Sequence, residues 1–412
     1  MLRGTTMKAT GIVAEYNPFH NGHKHQLTEA RRKTQADVLI IAMSGHFLQR
    51  GLPALMDKWV RAESAIRGGA DIVVEIPTLY ACASAEYFAS GAVHLLSHLK
   101  ISQLSFGSES ENIEPLQRAA EILVQEPEPF RERLLEMLKA GSSYAEARAG
   151  ALAHILGSTS GSLSQPNDIL GIEYLKALIR QKTSIVPTTV HRIGADYHST
   201  TLTGSICSAT AIRSALEKSD FNPDELKPFM PKSSWNLLNT VFEQNHLITE
   251  NSFIQLILYR ISQFTPADYV HFPDAEEGLW NRLLTAARTA CSYQGLVDRT
   301  QTRRYPRTRI QRLIASLLLD IRIHDRSRLG LPQYARVLGT SATGRSYLAQ
   351  IRKDISIPIL SNLARHAPQS SEESEMLALD VRATDLYQLG FKNLSSRVSG
   401  KDYTTPMPFH LD

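Results

Sequence analysis

Near its N-terminus the chain reads Gly11-Ile12-Val13-Ala14-Glu15-Tyr16-Asn17-Pro18-Phe19-His20-Asn21-Gly22-His23. The apolar start of this stretch predicts a strand, and residues 23–32 are predicted to form a helix. The Asn-Gly pair allows a sharp turn between them without a steric penalty. A helix N-terminus offers unpaired N–H groups and a partial positive charge. The stretch therefore predicts a phosphate site in which His20 and His23 donate hydrogen bonds to phosphate oxygens.

Two other interpretations of these histidines stay open on the residues alone. His20, His23 and His25 could share a metal ion, because imidazoles are common metal ligands. They could also form a solvated, histidine-rich turn. Residues 16–25 contain no cysteine and no acidic residue, and a metal site would leave the Asn-Gly turn unexplained. The position between a first strand and a first helix favours the phosphate site, and we assign no metal ligands.

Composition sets broad limits on the protein. Its 412 residues suffice for two or three domains, and 42% of them are hydrophobic, which supports a real core. The net charge of +4 implies no global field, so charged sites must be local. The three cysteines are scattered and odd in number, which indicates a reducing compartment. No apolar run approaches a membrane span, and no signal peptide is recognisable. We expect a cytoplasmic protein that does not engage a membrane.

The first half alternates strand and helix patterns. Strands are predicted at residues 37–43, 71–77, 104–106 and 184–190, and helices at residues 58–67, 84–96 and 166–180. Such repeated units predict an α/β fold with a doubly wound parallel sheet, whose ligands lie at the carboxyl ends of the strands. The loops after the first and second strands and the turn at Gly107 should meet at that edge.

Three domain-level segments follow from the same patterns. Residues 1–6 precede a second methionine and are interpreted as a leader or alternative start. Residues 7–219 form the predicted catalytic domain, with an insertion of two or three helices at about 113–156. Ser208 should cap a further helix, in which Arg213 could reach a phosphate but is by default a surface arginine. Residues 220–234 indicate a boundary, and residues 220–412 are predicted to be mostly helical.

One segment of the second half is unusually basic. Residues 299–312 contain six arginines, one tyrosine and no acid. Solvated helix faces usually mix both signs of charge, whereas arginines that contact phosphates and a tyrosine that stacks on a base suit RNA. We therefore predict an RNA-binding segment that includes Arg303, Arg304, Tyr305, Arg307 and Arg309. The amphipathic residues 377–387 indicate packing rather than chemistry.

Together these motifs resemble the bacterial tRNA(Met) cytidine acetate ligases, and the likeness runs from Met7 along nearly the whole chain. It rests on the first stretch and on five others: Met43-Ser44-Gly45-His46-Phe47-Leu48-Gln49-Arg50-Gly51, Gly69-Ala70-Asp71-Ile72-Val73-Val74-Glu75-Ile76-Pro77, Phe106-Gly107-Ser108-Glu109, Pro166-Asn167-Asp168-Ile169-Leu170-Gly171 and Arg303-Arg304-Tyr305. The resemblance implies a Rossmann-like nucleotidyltransferase domain joined to a helical tRNA-binding domain.

The same resemblance implies a two-step reaction. Acetate attacks the α-phosphate of ATP, accompanied by Mg²⁺, and gives acetyl-adenylate and pyrophosphate. The acetyl group then passes to N4 of the wobble cytidine of elongator tRNA(Met), and coenzyme A has no part. His20 and His23 are the implied catalytic residues. The implied ATP-binding residues are Val13, Ala14, Glu15, Tyr16, Asn17, Pro18, Phe19, His20, Asn21, Gly22, His23, Lys24, His25, Gln26, Gly107, Asn167 and Arg192.

Two departures from the family pattern and two rival functions remain. His46 stands where asparagine is expected after Ser-Gly, and Ser208-Ala209-Thr210 differs from the Ser-Ser-Thr form of the wider superfamily. One rival is an adenylyltransferase that joins AMP to a small phosphate-bearing acceptor, which would leave the arginine segment without a role. The other is a non-catalytic RNA-binding protein on a nucleotide-binding fold. The sequence does not give the oligomeric state.

Overall fold

The computed structural model describes residues 7–157, 165–192, 207–218, 220–275 and 277–411, except for the side chains of Ala145, Pro266 and Glu277. The predicted leader at residues 1–6 lies outside these ranges. Within them one sheet contains eight strands: β1 (Ala9–Ala14), β2 (Val38–Ser44), β3 (Ile72–Ile76), β4 (Gln103–Ser108), β5 (Val186–His191), β6 (Ala335–Ser341), β7 (Ile359–Leu360) and β8 (Phe409–His410).

The strand order places a topological switch point between β1 and β4. The order is β5-β4-β1-β2-β3-β6-β7, with β8 also paired to β6. The first five strands are mutually parallel, in a register that pairs Ala9 with Val38 and Gly11 with Leu104. The chain leaves β1 towards β2 on one side, and β4 returns on the other. A crevice for a ligand is expected outside the carboxyl ends of these two strands.

Helices cover both faces of the sheet. The first half contributes α1 (Asn21–Thr34), α2 (Lys58–Arg67), α3 (Thr78–Ala81), α4 (Ala85–His98), α5 (Ile113–Gln125), α6 (Glu128–Lys139), α7 (Tyr144–Leu156), α8 (Pro166–Arg180) and α9 (Ala209–Leu216). These bounds confirm the predicted helices, and residues 113–156, where two or three helices were predicted, contain three. Successive residues of β2 alternate between two cores: Leu39 and Ile41 face α1 and α2, whereas Ile40 and Ala42 face α4.

The second half is mostly helical, as predicted. It contains α10 (Lys232–Glu243), α11 (Ile254–Gln263), α12 (Pro266–Tyr269), α13 (Glu277–Ala287), α14 (Tyr293–Thr300), α15 (Arg307–Leu319), α16 (Asp325–Leu329), α17 (Ala342–Ile351), α18 (Ser371–Gln388) and α19 (Lys401–Thr404). Short 3-10 helices occur at Pro223–Phe229, Glu250–Phe253, Leu363–Arg365 and Leu394–Ser396. No helix in the described ranges is both long and apolar enough to cross a membrane.

Strand β6 is a difference from the sequence prediction. It comes from the second half of the chain and pairs antiparallel with β3, so that Ile72 lies opposite Thr340. Residues 220–412 therefore complete the first-half sheet in addition to forming helices. The domain boundary at residue 219 stays a prediction.

A buried ionic network fixes this junction. Lys58 Nζ contacts both carboxylate oxygens of Glu75 and Oδ1 of Asp402, each at 2.9 Å. Arg336 of β6 donates to Asp402 at 2.6 Å and lies 3.4 Å from Glu75. The two cations balance the two carboxylates, and attraction to them holds the pKa of Asp402 below its usual range against the opposing effect of burial. Removing one partner of such a network leaves a buried charge unpaired, so these four residues lock the two halves of the chain together.

Candidate active site

Two histidines form the N-terminus of α1. His20 is the N-cap: its Nδ1 accepts a hydrogen bond from the backbone N–H of Gly22 at 3.0 Å. The Nδ1 of His23 accepts from the backbone N–H of His20 at 3.3 Å, which completes a capping box made of two imidazoles. The rings stack with their centroids 3.8 Å apart. Because both Nδ1 atoms accept, the proton of each neutral ring resides on Nε2, and both Nε2–H groups can donate to a ligand.

The surroundings keep both imidazoles uncharged. Burial, reinforced by the positive charges of Arg192 and Arg213, lowers the pKa of His20 to about 3. Burial, followed by His20 and Arg192, holds the pKa of His23 well below its usual value. At neutral pH the pair therefore presents two fixed neutral donors beside two permanent cations. Such an arrangement can stabilise negative charge that develops on a phosphate without gaining or losing a proton.

We expect these depressed pKa values to affect stability at acid pH. The unfolded chain protonates each histidine near pH 6.5, whereas folded His20 binds a proton only near pH 3. The contribution of His20 is thus present above pH 6.5 and is lost as pH falls, by about 1.4 kcal/mol per pH unit. Urea unfolding between pH 7 and pH 4 should show a steeper loss for the wild type than for His20→Asn, which keeps an N-cap acceptor but cannot titrate. Equal slopes would contradict the buried, neutral His20.

The loop before α1 is held from several sides. Asn17 Oδ1 accepts from Leu55 N at 2.7 Å, and the Asn17 carbonyl accepts from Arg213 Nη1 at 2.7 Å. Tyr16 has a φ of 47°, and the peptide bond between Asn17 and Pro18 is cis. The Glu15 carboxylate accepts from Gln49 N at 2.9 Å, which joins this loop to the one after β2. The histidines are therefore positioned by a firmly fastened segment.

The far side of the crevice is built by β4, α8 and the end of β5. A Cβ on Gly107 would lie 3.3 Å from Arg192 Cγ and 4.0 Å from Gln26 Nε2, so these three residues meet. Arg192 Nη1 donates to Asn167 Oδ1 at 2.9 Å. Glu109 in turn accepts from Asn167 and from the backbone N–H of Asp168, and so fixes the start of α8. The structure thus gathers Gln26, Gly107, Asn167 and Arg192 at the switch point.

Some residues of the predicted ATP-binding stretch do not offer a side chain to a ligand. The rings of Tyr16 and Phe19 are 1% and 0% exposed and pack in the core against α1 and α2. Pro18 is buried as well. These three can contact a nucleotide only through the backbone. Lys24 is exposed, and the rest of the predicted stretch lies in or beside the loop.

Sequence reasoning left one residue of this region undecided and missed another. Arg213 is not the surface arginine that was the default, because it hydrogen bonds to Asn17 and lies close enough to lower the pKa of His20. The cap at Ser208, which accepts from Ala211 N at 3.0 Å, was the available signal. Arg61 is fully buried and donates to the carbonyls of Glu15 and Ser44 at 2.7 and 3.1 Å. Its position inside an ordinary helix pattern gave no signal.

The loop after β2 lies at the same edge of the sheet, but His46 turns away from the crevice. Its ring is buried between Thr384 Oγ1 at 3.2 Å and Asp57 Oδ2 at 3.4 Å. Burial lowers the pKa of His46, although Asp57 opposes this effect. His46, which stands where the family pattern has asparagine, thus contacts α18 and not a ligand.

The arginine segment is organised differently from the sequence prediction. Tyr305 is only 5% exposed, so its ring cannot stack on a base, and that part of the prediction is wrong. Its ring instead lies beside the guanidinium groups of Arg304 and Arg309, at 5.4 and 5.9 Å. Acids outside the segment also contact it: Glu146 lies 3.2 Å from Arg303, and Asp298, the residue directly before the segment, lies 2.7 Å from Arg307. Arg303 remains 86% exposed.

Comparison with known proteins identifies a family and several relatives that this chain resembles. The family model described as HIGH Nucleotidyl Transferase matches residues 7–402. The tRNA(Met) cytidine acetate ligase of Acetivibrio thermocellus is 41% identical over 97% of this chain and 99% of its own length. That of Syntrophotalea carbinolica is 40% identical over 98% and 99%. The crystal structure of Thermotoga maritima TmcAL superposes with a TM-score of 0.93 at 32% identity, covering 98% of this chain and all of that one. Its form bound with alpha-thio ATP gives 0.91 at 31% identity.

Proposed function

Because the chain belongs to the tRNA(Met) cytidine acetate ligases of the HIGH nucleotidyl transferase family, we propose that it joins acetate to tRNA(Met) with ATP. The carboxylate of acetate attacks the α-phosphate, the bond to the β-phosphate breaks, and acetyl-adenylate and pyrophosphate form. The exocyclic N4 of the wobble cytidine of elongator tRNA(Met) then attacks the acetyl carbonyl, loses a proton and releases AMP. ATP enters with Mg²⁺, coenzyme A takes no part, and the reaction takes place in the cytoplasm.

One observation carries this proposal: two neutral imidazole donors and two arginines converge at the carboxyl ends of β1 and β4. Nucleotidyl transfer gathers negative charge at phosphorus, and such groups stabilise that charge through position and electrostatics. His20 and His23 contact the α-phosphate region in this proposal. Arg192, held by Asn167, and Arg213, held by Asn17, supply fixed positive charge next to them.

The remaining residues of the proposed ATP site divide by what they can offer. Backbone groups of the loop and of Gly107 allow close approach of the nucleotide, because a Cβ at Gly107 would crowd Arg192. Side-chain contacts come from Asn17, Gln26 and Asn167. Val13, Ala14, Glu15 and His25 line the same loop. The likeness to the structure bound with alpha-thio ATP supports ATP as the nucleotide.

The second step explains why an adenylate is used. The lone pair of a cytosine amino group is delocalised into the ring, so this amine is a poor nucleophile and needs an activated acyl donor. The target base must also be unstacked, which is easier in an anticodon loop than in a duplex. Exposed arginines of residues 303–309 are proposed to hold the tRNA by its phosphates.

The proposal predicts the source of the acyl group. Labelled acetate with ATP should label tRNA(Met), and labelled acetyl-coenzyme A without ATP should not. A transcript with uridine in place of the wobble cytidine is the matched control, because it lacks the N4 amine. Label from acetyl-coenzyme A alone, or equal label in the control transcript, would show that the proposed reaction is wrong.

A further inference from the structure

An open groove lies between the end of α18 and the segment that leads into α19. Its volume is about 590 Å³, which is within the usual range for small-molecule sites. Tyr403 and Leu389 form apolar parts of its wall, and Arg382 and Arg397 lie along it. The groove is separate from the β1–β4 crevice, and the proposed ATP site does not use it.

The aromatic ring in this groove is accessible. Tyr403 is 49% exposed and Leu389 is 43% exposed. A half-exposed tyrosine next to apolar side chains offers a face on which a planar base can stack. Tyr403 thus has the accessibility that Tyr305 lacks.

Two arginines give the groove a positive charge that is held in place. Arg382 Nε donates to the carbonyl of Leu319 at 3.0 Å, and Arg397 Nε donates to the carbonyl of Phe391 at 2.8 Å. Among the described residues, neither guanidinium forms an ion pair. The acidic residue of the wall, Asp385, already accepts from the backbone N–H of Gly400 at 2.7 Å. The terminal nitrogens of both arginines can therefore serve a phosphate.

The wall also contains an unsatisfied buried amide. Gln388 is 1% exposed, and its Nε2 donates to Asp57 at 3.5 Å. Its Oε1 has no hydrogen-bond partner within the described part of the chain. A buried acceptor without a donor is costly and rare, so a ligand group that donates here would be favoured. The exocyclic amine of a nucleobase is such a donor.

We propose that this groove binds one unpaired nucleotide of the tRNA, with its base on Tyr403, its phosphate on Arg382 and Arg397, and an exocyclic amine on Gln388. The inference rests on the proposed function for the identity of the RNA. It adds a base-binding site to the phosphate contacts assigned to the arginine segment. Aromatic ring, anchored cations and buried acceptor together suit single-stranded RNA better than a protein partner.

The test compares tRNA(Met) affinity across tyrosine variants. Tyr403→Ala should weaken binding roughly 5- to 100-fold through loss of stacking, whereas Tyr403→Phe should bind nearly as the wild type. Tyr259→Ala is the matched control, because Tyr259 is 60% exposed but lies on α11 away from the groove. Equal affinity of Tyr403→Ala and Tyr259→Ala would overturn the proposal, and so would a full loss in Tyr403→Phe.

Two further measurements separate this site from a structural effect. Arg397→Ala should lower the slope of log affinity against log salt by about 0.7, the value for one phosphate of a single strand, and Tyr403→Ala should leave that slope unchanged. Oligocytidylate should bind the wild type better than oligouridylate, and Gln388→Leu should remove the difference. Unchanged slopes, or no preference in the wild type, would overturn the assignment of these groups. Failure of the wild type to use acetate and ATP would instead contradict the proposed function.

Discussion

Alanine at His20 or at His23 should lower the rate of acetate-dependent pyrophosphate exchange about 100-fold, the usual cost of losing one transition-state donor. Both Nε2–H groups are free to donate because both Nδ1 atoms accept backbone N–H groups within the capping box. Each ring therefore supports the helix with one nitrogen and is proposed to serve the phosphate with the other. Exchange is measured without tRNA, so the loss reports on the first step.

A second variant separates the two roles of His20. Asparagine is among the best N-cap residues, so His20→Asn should keep the start of α1 while it removes the Nε2–H group that is proposed to donate to the phosphate. We expect its exchange rate to fall nearly as far as that of His20→Ala, with a smaller loss of unfolding free energy. His271→Ala is the control, since His271 is exposed and lies in the second half of the chain. Near-normal exchange in both His20→Asn and His23→Ala would refute the assigned catalytic role.

Replacing Arg303, Arg304 and Arg307 together by alanine should weaken tRNA(Met) binding, and this is the second-largest effect that we expect of any variant. Contacts to phosphates release counterions, so affinity falls as salt rises, with a slope of about 0.7–0.9 per neutralised phosphate. Three lost contacts should reduce that slope by about two and weaken binding at low salt of order 10- to 100-fold. The effect is tempered because Arg303 and Arg307 also contact Glu146 and Asp298.

The matched control removes three exposed cations elsewhere. Arg352, Lys353 and Arg365 lie at the end of α17 and in the segment after it. Their triple alanine variant changes the net charge equally, so it should leave the salt slope near the wild-type value if binding is local. If both triple variants reduce the salt slope by the same amount, the arginine segment is a solvated face and not a docking site.

The central sheet could be predicted because its signals are local. Continuous apolar runs gave the buried parallel strands, and the helix predicted at residues 58–67 is present with those bounds. The helix that begins at Pro166 followed from the place of proline at a helix N-terminus. The histidine loop followed from the Asn-Gly turn between strand and helix. Each of these features depends on residues that are close in sequence.

The missed features depend on distant partners. Strand β6 pairs with β3, and the charge of Arg336 is compensated by Glu75 and Asp402, which are far away in the chain. The arginine segment contains no acid of its own, yet the distant Glu146 and Asp274 pair with it once the chain is folded, as does the adjacent Asp298. Tyr305 is likewise buried by other parts of the folded chain, which its neighbours in sequence do not reveal. Local composition gives the charge of a segment, but not what packs against it.

Acetate-dependent exchange of pyrophosphate into ATP, measured on the wild type with and without tRNA(Met), tests the central claim most directly. Acetyl-adenylate formation predicts exchange that requires acetate and proceeds in the absence of tRNA, with release of AMP when tRNA(Met) is added. Exchange that does not require acetate would indicate an adenylyltransferase with another acceptor. Binding of tRNA without any exchange would indicate a non-catalytic RNA-binding protein, and either result would contradict the proposed function.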